Sequence, residues 1–379
     1  MNSDLRPREP GKPAAASGKA RRFRILDRHL CRLVPWLLCL GLSGCVNIGY
    51  YHQLAAGQLQ LLRQREPIAR VVSDQRRDPE LRQRLAMVLQ ARRFASRTLQ
   101  LPDNRSYLSY VELDRPYVLW NLMATPEFSV EAIAHCVPLA GCVAYRGYFR
   151  QALAAAAAQR LRAQGLDVWI GGVDAYSTLG WFADPLFSSM LRRDDEQLAG
   201  LLFHELAHQQ VYVPGDTAFN ESYASFVARQ GLQAWRRQRG LPPADELAER
   251  RQTAFVMLML QTRGALRQLY ASPRSAQAMR EAKAEAFGQL RAKYQRLRRK
   301  GQVPDYDHFM SGPLNNASLL PFALYDQWVP AFAQLFTLTG GDWVAFHDAV
   351  QQLGSAPAAQ RHSRLEVLLR QAGQQGRGP

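Results

Sequence analysis

The chain has 379 residues, of which 47% are apolar, 21% charged and 10% aromatic. It can therefore bury a sizeable core, and disorder, a collagen-like repeat and a disulfide miniprotein are excluded. Lys and Arg outnumber Asp and Glu by 48 to 32, and the net charge of +16 raises nucleic acid or an anionic membrane as a partner. The excess is uneven: residues 1–44 hold nine Lys or Arg against three acids, which leaves +10 on the other 335 residues.

Lys19 to Arg32 is basic and runs into Leu33 to Leu42, a largely apolar stretch of ten that is too short to span a bilayer. It reads as a signal peptide over residues 1–44. Leu42-Ser43-Gly44-Cys45 follows and resembles the lipobox of bacterial lipoproteins. The resemblance implies that Cys45 becomes the lipidated N-terminus after cleavage and anchors the chain to a membrane. Val46, rather than Asp, follows the cysteine, and by resemblance to enterobacterial lipoprotein sorting this implies the outer membrane, facing the periplasm. In that oxidising compartment Cys136 and Cys142 can close a short loop as a disulfide, two buried thiols being the plain alternative.

From Tyr50 to Ala95 the apolar positions recur at helical spacing with a break near Pro67, which predicts two or three helices. Tyr107 to Tyr117, Val118 to Phe128 and Val143 to Tyr148 read as strands. Arg150 to Gln164 is Ala-rich and helical up to Gly165, and Leu166 to Gly171 reads as a further strand, so a small mixed sheet is expected. Beyond residue 190 the pattern is helical: Asp195 to Val211, Thr217 to Arg239, Asp245 to Ala271, Ser275 to Lys300, and pieces within Leu319 to Phe336 and Trp343 to Gln351. The plan is α+β, with N-terminal helices and the sheet over residues 45–190 and a helical part over residues 191–379.

The chemistry sits in His204-Glu205-Leu206-Ala207-His208. On a helix the two imidazoles lie one turn apart on one face and can share a metal ion. Glu205, about 100 degrees round the helix from His204, can lean over the open position of that metal and take a proton from water. Zinc hydrolases use three protein ligands. Pro214 stands six residues past His208, where a third histidine would otherwise be looked for. The turn Val213-Pro214-Gly215-Asp216 reverses the chain instead, and Asn220-Glu221-Ser222-Tyr223-Ala224 returns past the histidines, so geometry permits His204, His208 and Glu221 as ligands.

HELAH followed by NESYA resembles the gluzincin metallopeptidases, whose third ligand is a Glu in an Asn-Glu-x-x-Ala context. More specifically the chain resembles the family of predicted bacterial aminopeptidase lipoproteins. The likeness rests on those two helices together with Gly49-Tyr50-Tyr51, Ala140-Gly141-Cys142, Tyr145 to Phe149, Ala175 to Phe182 and Leu314 to Ala317. It implies a zincin-like fold and a Zn²⁺-dependent peptidase that removes N-terminal residues from peptides in the cell envelope. The alternatives are a zinc endopeptidase and a non-catalytic envelope lipoprotein braced by zinc.

Substrate in such enzymes pairs with an edge strand before the metal helix, and the segment from Val168 to Phe182 is the candidate. Its Gly171, Gly172 and Gly180 would let a second backbone approach, and Asp174 could meet a substrate ammonium, with Asp184 and Glu127 as further acids to test. An oxyanion needs a donor besides zinc, and Tyr306, His308 and Tyr325 stand at family-like places, where core residues are the plain reading of each. Asn315 and Asn316 read as helix caps, Ser225 as a partner for a zinc histidine, and His347 and His362 as surface or satisfied core residues. The basic helix Arg280 to Lys300 is interrupted by Glu281 and Glu285 and carries no nucleic-acid signature. It reads as a solvated face, with anionic head groups as the alternative and no nucleic acid expected.

Overall fold

The computed structural model describes residues 48–137, 141–243 and 245–375. Residues 48–56 form one small helical unit, and the chain from Gly57 on forms a second, which holds all the elements below.

The second unit opens with helical residues 57–63, strand β1 (Glu66–Pro67), helix α1 (Ile68–Ser73) and helix α2 (Pro79–Arg97). Asp78 starts α2 by accepting the Leu81 N–H at 2.9 Å, with Pro79 in the first turn where its missing donor costs nothing. The strands do not make one mixed sheet, as the sequence suggests, but three separate pieces. In the first, β2 (Ser109–Val111) pairs antiparallel with β1 and parallel with β8 (Leu186–Phe187). The second is wholly antiparallel, with β3 (Leu119–Thr125) between β6 (Arg146–Tyr148) and β7 (Asp167–Val173). The third is a hairpin of β4 (His135–Val137) and β5 (Gly141–Val143). The strand expected over Tyr107 to Tyr117 is short: it covers only Ser109–Val111, since its two partners β1 and β8 are two residues each.

All seven residues of β3 are buried, which is why it reads as an apolar run rather than an alternating one. Helix α3 (Gln151–Ala163) packs on this sheet through Ala154, Ala157 and Ala158, and the 3-10 turn Asn316–Leu319 packs on it as well.

The rest is helical. α4 (Asp195–Gln210), α5 (Thr217–Gln238), α6 (Glu246–Tyr270) and α7 (Ala276–Arg299) fall within a residue or two of their sequence boundaries. After the short α8 (Asp307–Ser311), the expected helix over Leu319 to Phe336 is broken into the 3-10 turn, α9 (Leu320–Asp326) and α10 (Val329–Leu338). Pro330, in the first turn of α10, can neither continue the α9 ladder nor clear the carbonyl four residues back. α11 (Trp343–Ser355) follows, then α12 (Ala358–Gln375), a helix absent from the sequence reading. Its few apolar residues hide the period, and it docks through buried Leu365 and Arg361.

Candidate metal centre

Two consecutive helices build the centre. Asp194 caps α4 by accepting the Gln197 N–H at 2.7 Å, and Leu198, Leu202, Phe203 and Leu206 bury its apolar face. The chain then turns at Pro214 and Gly215, and Asn220 clamps the turn with two hydrogen bonds to one residue: its Oδ1 accepts from the Val213 N–H and its Nδ2 donates to the Val213 carbonyl, both at 2.8 Å. Asp216 caps α5 by accepting the Phe219 N–H at 3.1 Å. Its other oxygen is held by Arg361 at 2.9 Å and by the His362 ring at 2.8 Å, both from α12. The Asn of the NESYA motif therefore has a structural task, which is to fix the bend so that its neighbour Glu221 faces α4.

His204 and His208 bring their Nε2 atoms to 3.1 Å from each other. Glu221 Oε2 lies 3.3 Å from the first and 3.4 Å from the second. Ligand atoms about 2.0–2.1 Å from a tetrahedral ion are separated by about 3.3 Å, which is the size of this triangle. No other group of three or more His, Cys, Asp or Glu among the described residues is placed to hold a metal ion. Glu221 Oε2 is buried and neither imidazole approach gives it a hydrogen bond, so the three donors converge on a point that a cation would satisfy. Burial pushes the Glu221 carboxyl up, but the two imidazoles outweigh burial and hold it down at about 2. Burial drives His204 below its ordinary value; in His208 burial works the same way but the Glu221 carboxylate prevails and raises it.

Glu205 is buried beside the triangle. Burial, with the negative charges of Glu221 and Asp184, raises its carboxyl to about 7 against the opposing pull of His208. One turn further on the same helix face, Gln209 donates to Asp184 at 3.2 Å and accepts from Asn104 at 2.7 Å. Asp184 also accepts from the Thr178 N–H at 2.9 Å and its hydroxyl at 2.6 Å, which ties the loop after β7 to the metal helix. On the other side, Ser222 donates to the Leu324 carbonyl and accepts from the Trp328 N–H, each at 3.2 Å, and so fixes α9 against α5. This places the Tyr325 ring in a near-parallel stack on His204, with centroids 6.0 Å apart and planes at 23°. Burial and the Glu221 charge keep the Tyr325 phenol protonated far above neutrality. Trp169 of β7 and Tyr145 pack in the cluster that holds Tyr325.

The structure thus gathers His204, Glu205, His208, Glu221 and Tyr325. It treats the other nominated residues differently. Asp174 has its carboxylate occupied by Arg192 at 2.6 Å and by Arg193 at 2.8 and 3.0 Å. Glu127 is paired with Arg280 at 2.7 Å. Gly180 follows β7 in an exposed turn with φ of +81°, beside Gln209. Over Gly171 and Gly172 the space is taken by the rings of Trp169 and Tyr117, so side chains, rather than open room for a second backbone, cover that part of β7. Cys136 and Cys142 are bonded and face each other across the β4–β5 hairpin. That hairpin presses on the turn between the metal helices: a Cβ on Gly141 would meet the Gly215 nitrogen at 2.7 Å. Cys45 lies outside the described residues. His347 is a satisfied core residue, bonded to the Tyr223 hydroxyl at 2.8 Å and to the Leu99 carbonyl at 2.9 Å. Asn315 caps the 3-10 turn, and Tyr306 stacks on Phe255 at 4.1 Å in the core of the α6–α7 pair. Ser225 does not serve His208, whose buried Nδ1 has no hydrogen-bond partner. Tyr212, whose phenol is raised by burial and the Glu221 charge, is a neighbour of the centre that spacing does not reveal.

A family model described as "Putative aminopeptidase" matches residues 49–365. The chain belongs to this family. All five gathered residues lie within the matched span, and membership assigns the chain to a family of peptide hydrolases. No curated protein and no solved structure matches the chain.

Proposed function

We propose that this member of the aminopeptidase family is a zinc peptidase of gluzincin type with a zincin-like fold, and that His204, His208 and Glu221 hold the metal. One observation carries the reading: three buried donors, two imidazole and one carboxylate, converge in a triangle of 3.1, 3.3 and 3.4 Å. The nitrogen and oxygen donor set suits Zn²⁺, which when bound acts as a Lewis acid and makes water a nucleophile near neutral pH.

The chain's own groups supply the rest. Glu205, held near pH 7 in a buried site, takes a proton from the attacking water and returns it to the departing amine. Tyr325, kept protonated, donates to the oxygen of the substrate carbonyl as negative charge develops there. Stacking on His204 fixes its ring while Ser222 fixes its helix. The test is hydrolysis of aminoacyl chromophores and short peptides by the purified chain: cleavage that chelation abolishes supports the reading, and inertness of the zinc-loaded chain favours a metal that only braces two helices.

Removal of N-terminal residues is the first expectation from the family. A specific observation favours the endopeptidase reading: each acid nominated to hold a substrate ammonium already has partners, Asp174 with two arginines, Glu127 with Arg280 and Asp184 with Thr178 and Gln209. Free and N-acetylated peptides separate the two, since equal cutting of both removes the aminopeptidase label and keeps the peptidase.

The address is proposed from sequence: residues 1–44 are removed on export and Cys45 carries the lipid that anchors the chain in the outer membrane, facing the periplasm. Among the described residues no helix is long and apolar enough to cross a membrane. Mass spectrometry of the mature N-terminus, with Cys45→Ala as the control, tests this.

A further inference from the structure

The basic helix α7 is not uniformly solvated. Arg280 pairs with Glu127, Lys283 with Asp167 and Arg298 with Asp305, while Arg291 donates to the Met310 and Gly312 carbonyls. Lys293, Arg296 and Lys300 differ: none has a side-chain hydrogen bond or an ion pair with a described residue. Their spacing of three and four puts all three on one side of the helix, where they line a cavity of about 300 Å³ against α6. On α6 the same cavity is lined by Ala254, Met257, Leu258 and Gln261, and Arg250 and Leu247 precede Ala254 along the helix at intervals of four and three. Leu247 and Met257 are each 47% exposed. Ala254 also lines a second cavity of about 830 Å³ that extends the groove to Arg237 and Leu241, the latter 37% exposed.

Beneath this stripe the hairpin is firmly packed. Phe255, Met259, Leu290 and Tyr294 are buried between the two helices, and Tyr294 also bonds Asp307 at 2.7 Å. The outward face therefore does not exist to hold the hairpin together. Three neighbouring cations without counter-charges repel one another, and exposed Leu and Met beside them leave apolar surface in water. A ligand that relieves both must carry anionic groups next to apolar chains. The boundary of an anionic lipid bilayer does this, with phosphates at the level of the cations and acyl chains within reach of Met257 and Leu247. Nucleic acid supplies the charge alone, and neither cavity is lined by an aromatic side chain on which bases stack.

We propose that the outer face of the α6–α7 hairpin is a docking surface for anionic lipid headgroups, which lays the protein body against a membrane. This stands independently of the metal centre. Each basic residue near an anionic surface is worth about fivefold in partitioning, so loss of three weakens docking about a hundredfold. The experiment is hydrogen exchange on the full chain reconstituted with vesicles of phosphatidylcholine alone or mixed with phosphatidylglycerol, which reads the hairpin locally whatever the N-terminus does. Exchange in 247–261 and 290–300 should slow on the anionic vesicles only. That protection should vanish in a K293E/R296E/K300E variant and in high salt, with exchange in α4 and α5 unchanged, and should weaken in Met257→Ser. Equal exchange on the two vesicle types, protection that persists in the triple variant, or protection by a nucleic-acid duplex but not by vesicles would overturn the proposal.

Discussion

The α4–α5 and α6–α7 hairpins are both pairs of long helices joined by a short connection, and both place polar residues at intervals of three and four. They put those residues on opposite sides. In α4–α5 the spaced polar groups point inward, where His208 and Glu221 are buried and His204 is largely covered. In α6–α7 the interior is Phe255, Met259 and Tyr294, and the spaced Lys293, Arg296 and Lys300 face out. The same periodicity encodes a ligand set in one place and a charge stripe in the other. What separates them is the second face of each helix: apolar residues flank the histidines of α4, while charged ones surround the stripe of α7.

The comparison breaks most visibly at Glu205. Glu205→Gln should lower kcat by a factor of about a thousand while metal content measured by mass spectrometry stays at the wild-type level. Tyr325→Phe should lower kcat by about a hundredfold with little change in KM, because its hydroxyl acts on charge that develops during the reaction.

The buried acid Asp184 sharpens the contrast in stability. Burial raises its carboxyl from 3.8 to about 6 despite donors from Thr178, Ser177 and Gln209, and Tyr107, Tyr176 and Glu205 also face it. The folded chain thus holds a proton that the unfolded chain has lost between pH 4 and 6. This term alone makes stability fall as pH rises through that window, by about 3 kcal/mol, and stay low above it. Denaturation of Asp184→Asn across the same range should lack that slope. Asn220→Ala, which leaves the buried Val213 N–H without a partner and its carbonyl with the Asp216 N–H alone, should cost about 2 kcal/mol and lower Tm. At the other hairpin, the K293E/R296E/K300E variant should lower stability by about 1 kcal/mol, because Arg296 in the last turn and Lys300 at the C-cap of α7 become carboxylates, and should leave kcat alone.

The sequence makes legible what local spacing encodes. His204 and His208 four apart, Glu205 between them and Glu221 after a turn of known residue types are all read without coordinates, as are the ends of α4 to α7. What holds them is not local. Asp216 is fixed by Arg361 and His362 from a helix 145 residues on that the apolar pattern conceals. Tyr325 reaches His204 only because Pro330 breaks the expected long helix and Ser222 bonds at the break. Tyr145 lies in a family-like segment and Tyr212 just before a legible turn, but that either comes near the centre depends on tertiary packing that spacing does not show. Asp174 misled for a related reason: its two arginines follow eighteen and nineteen residues later, beyond the reach of periodicity.

The central claim is that one metal ion, held by His204, His208 and Glu221, is required for peptide hydrolysis. Titrating zinc back into chelator-treated protein while following both bound metal and cleavage of a reporter peptide tests it directly. The account predicts activity that returns in proportion to bound zinc and levels off at one equivalent, and His208→Ala that neither binds the ion tightly nor cleaves. Full cleavage by the stripped protein, or an equivalent of zinc retained after His204, His208 and Glu221 are all replaced by alanine, would contradict it.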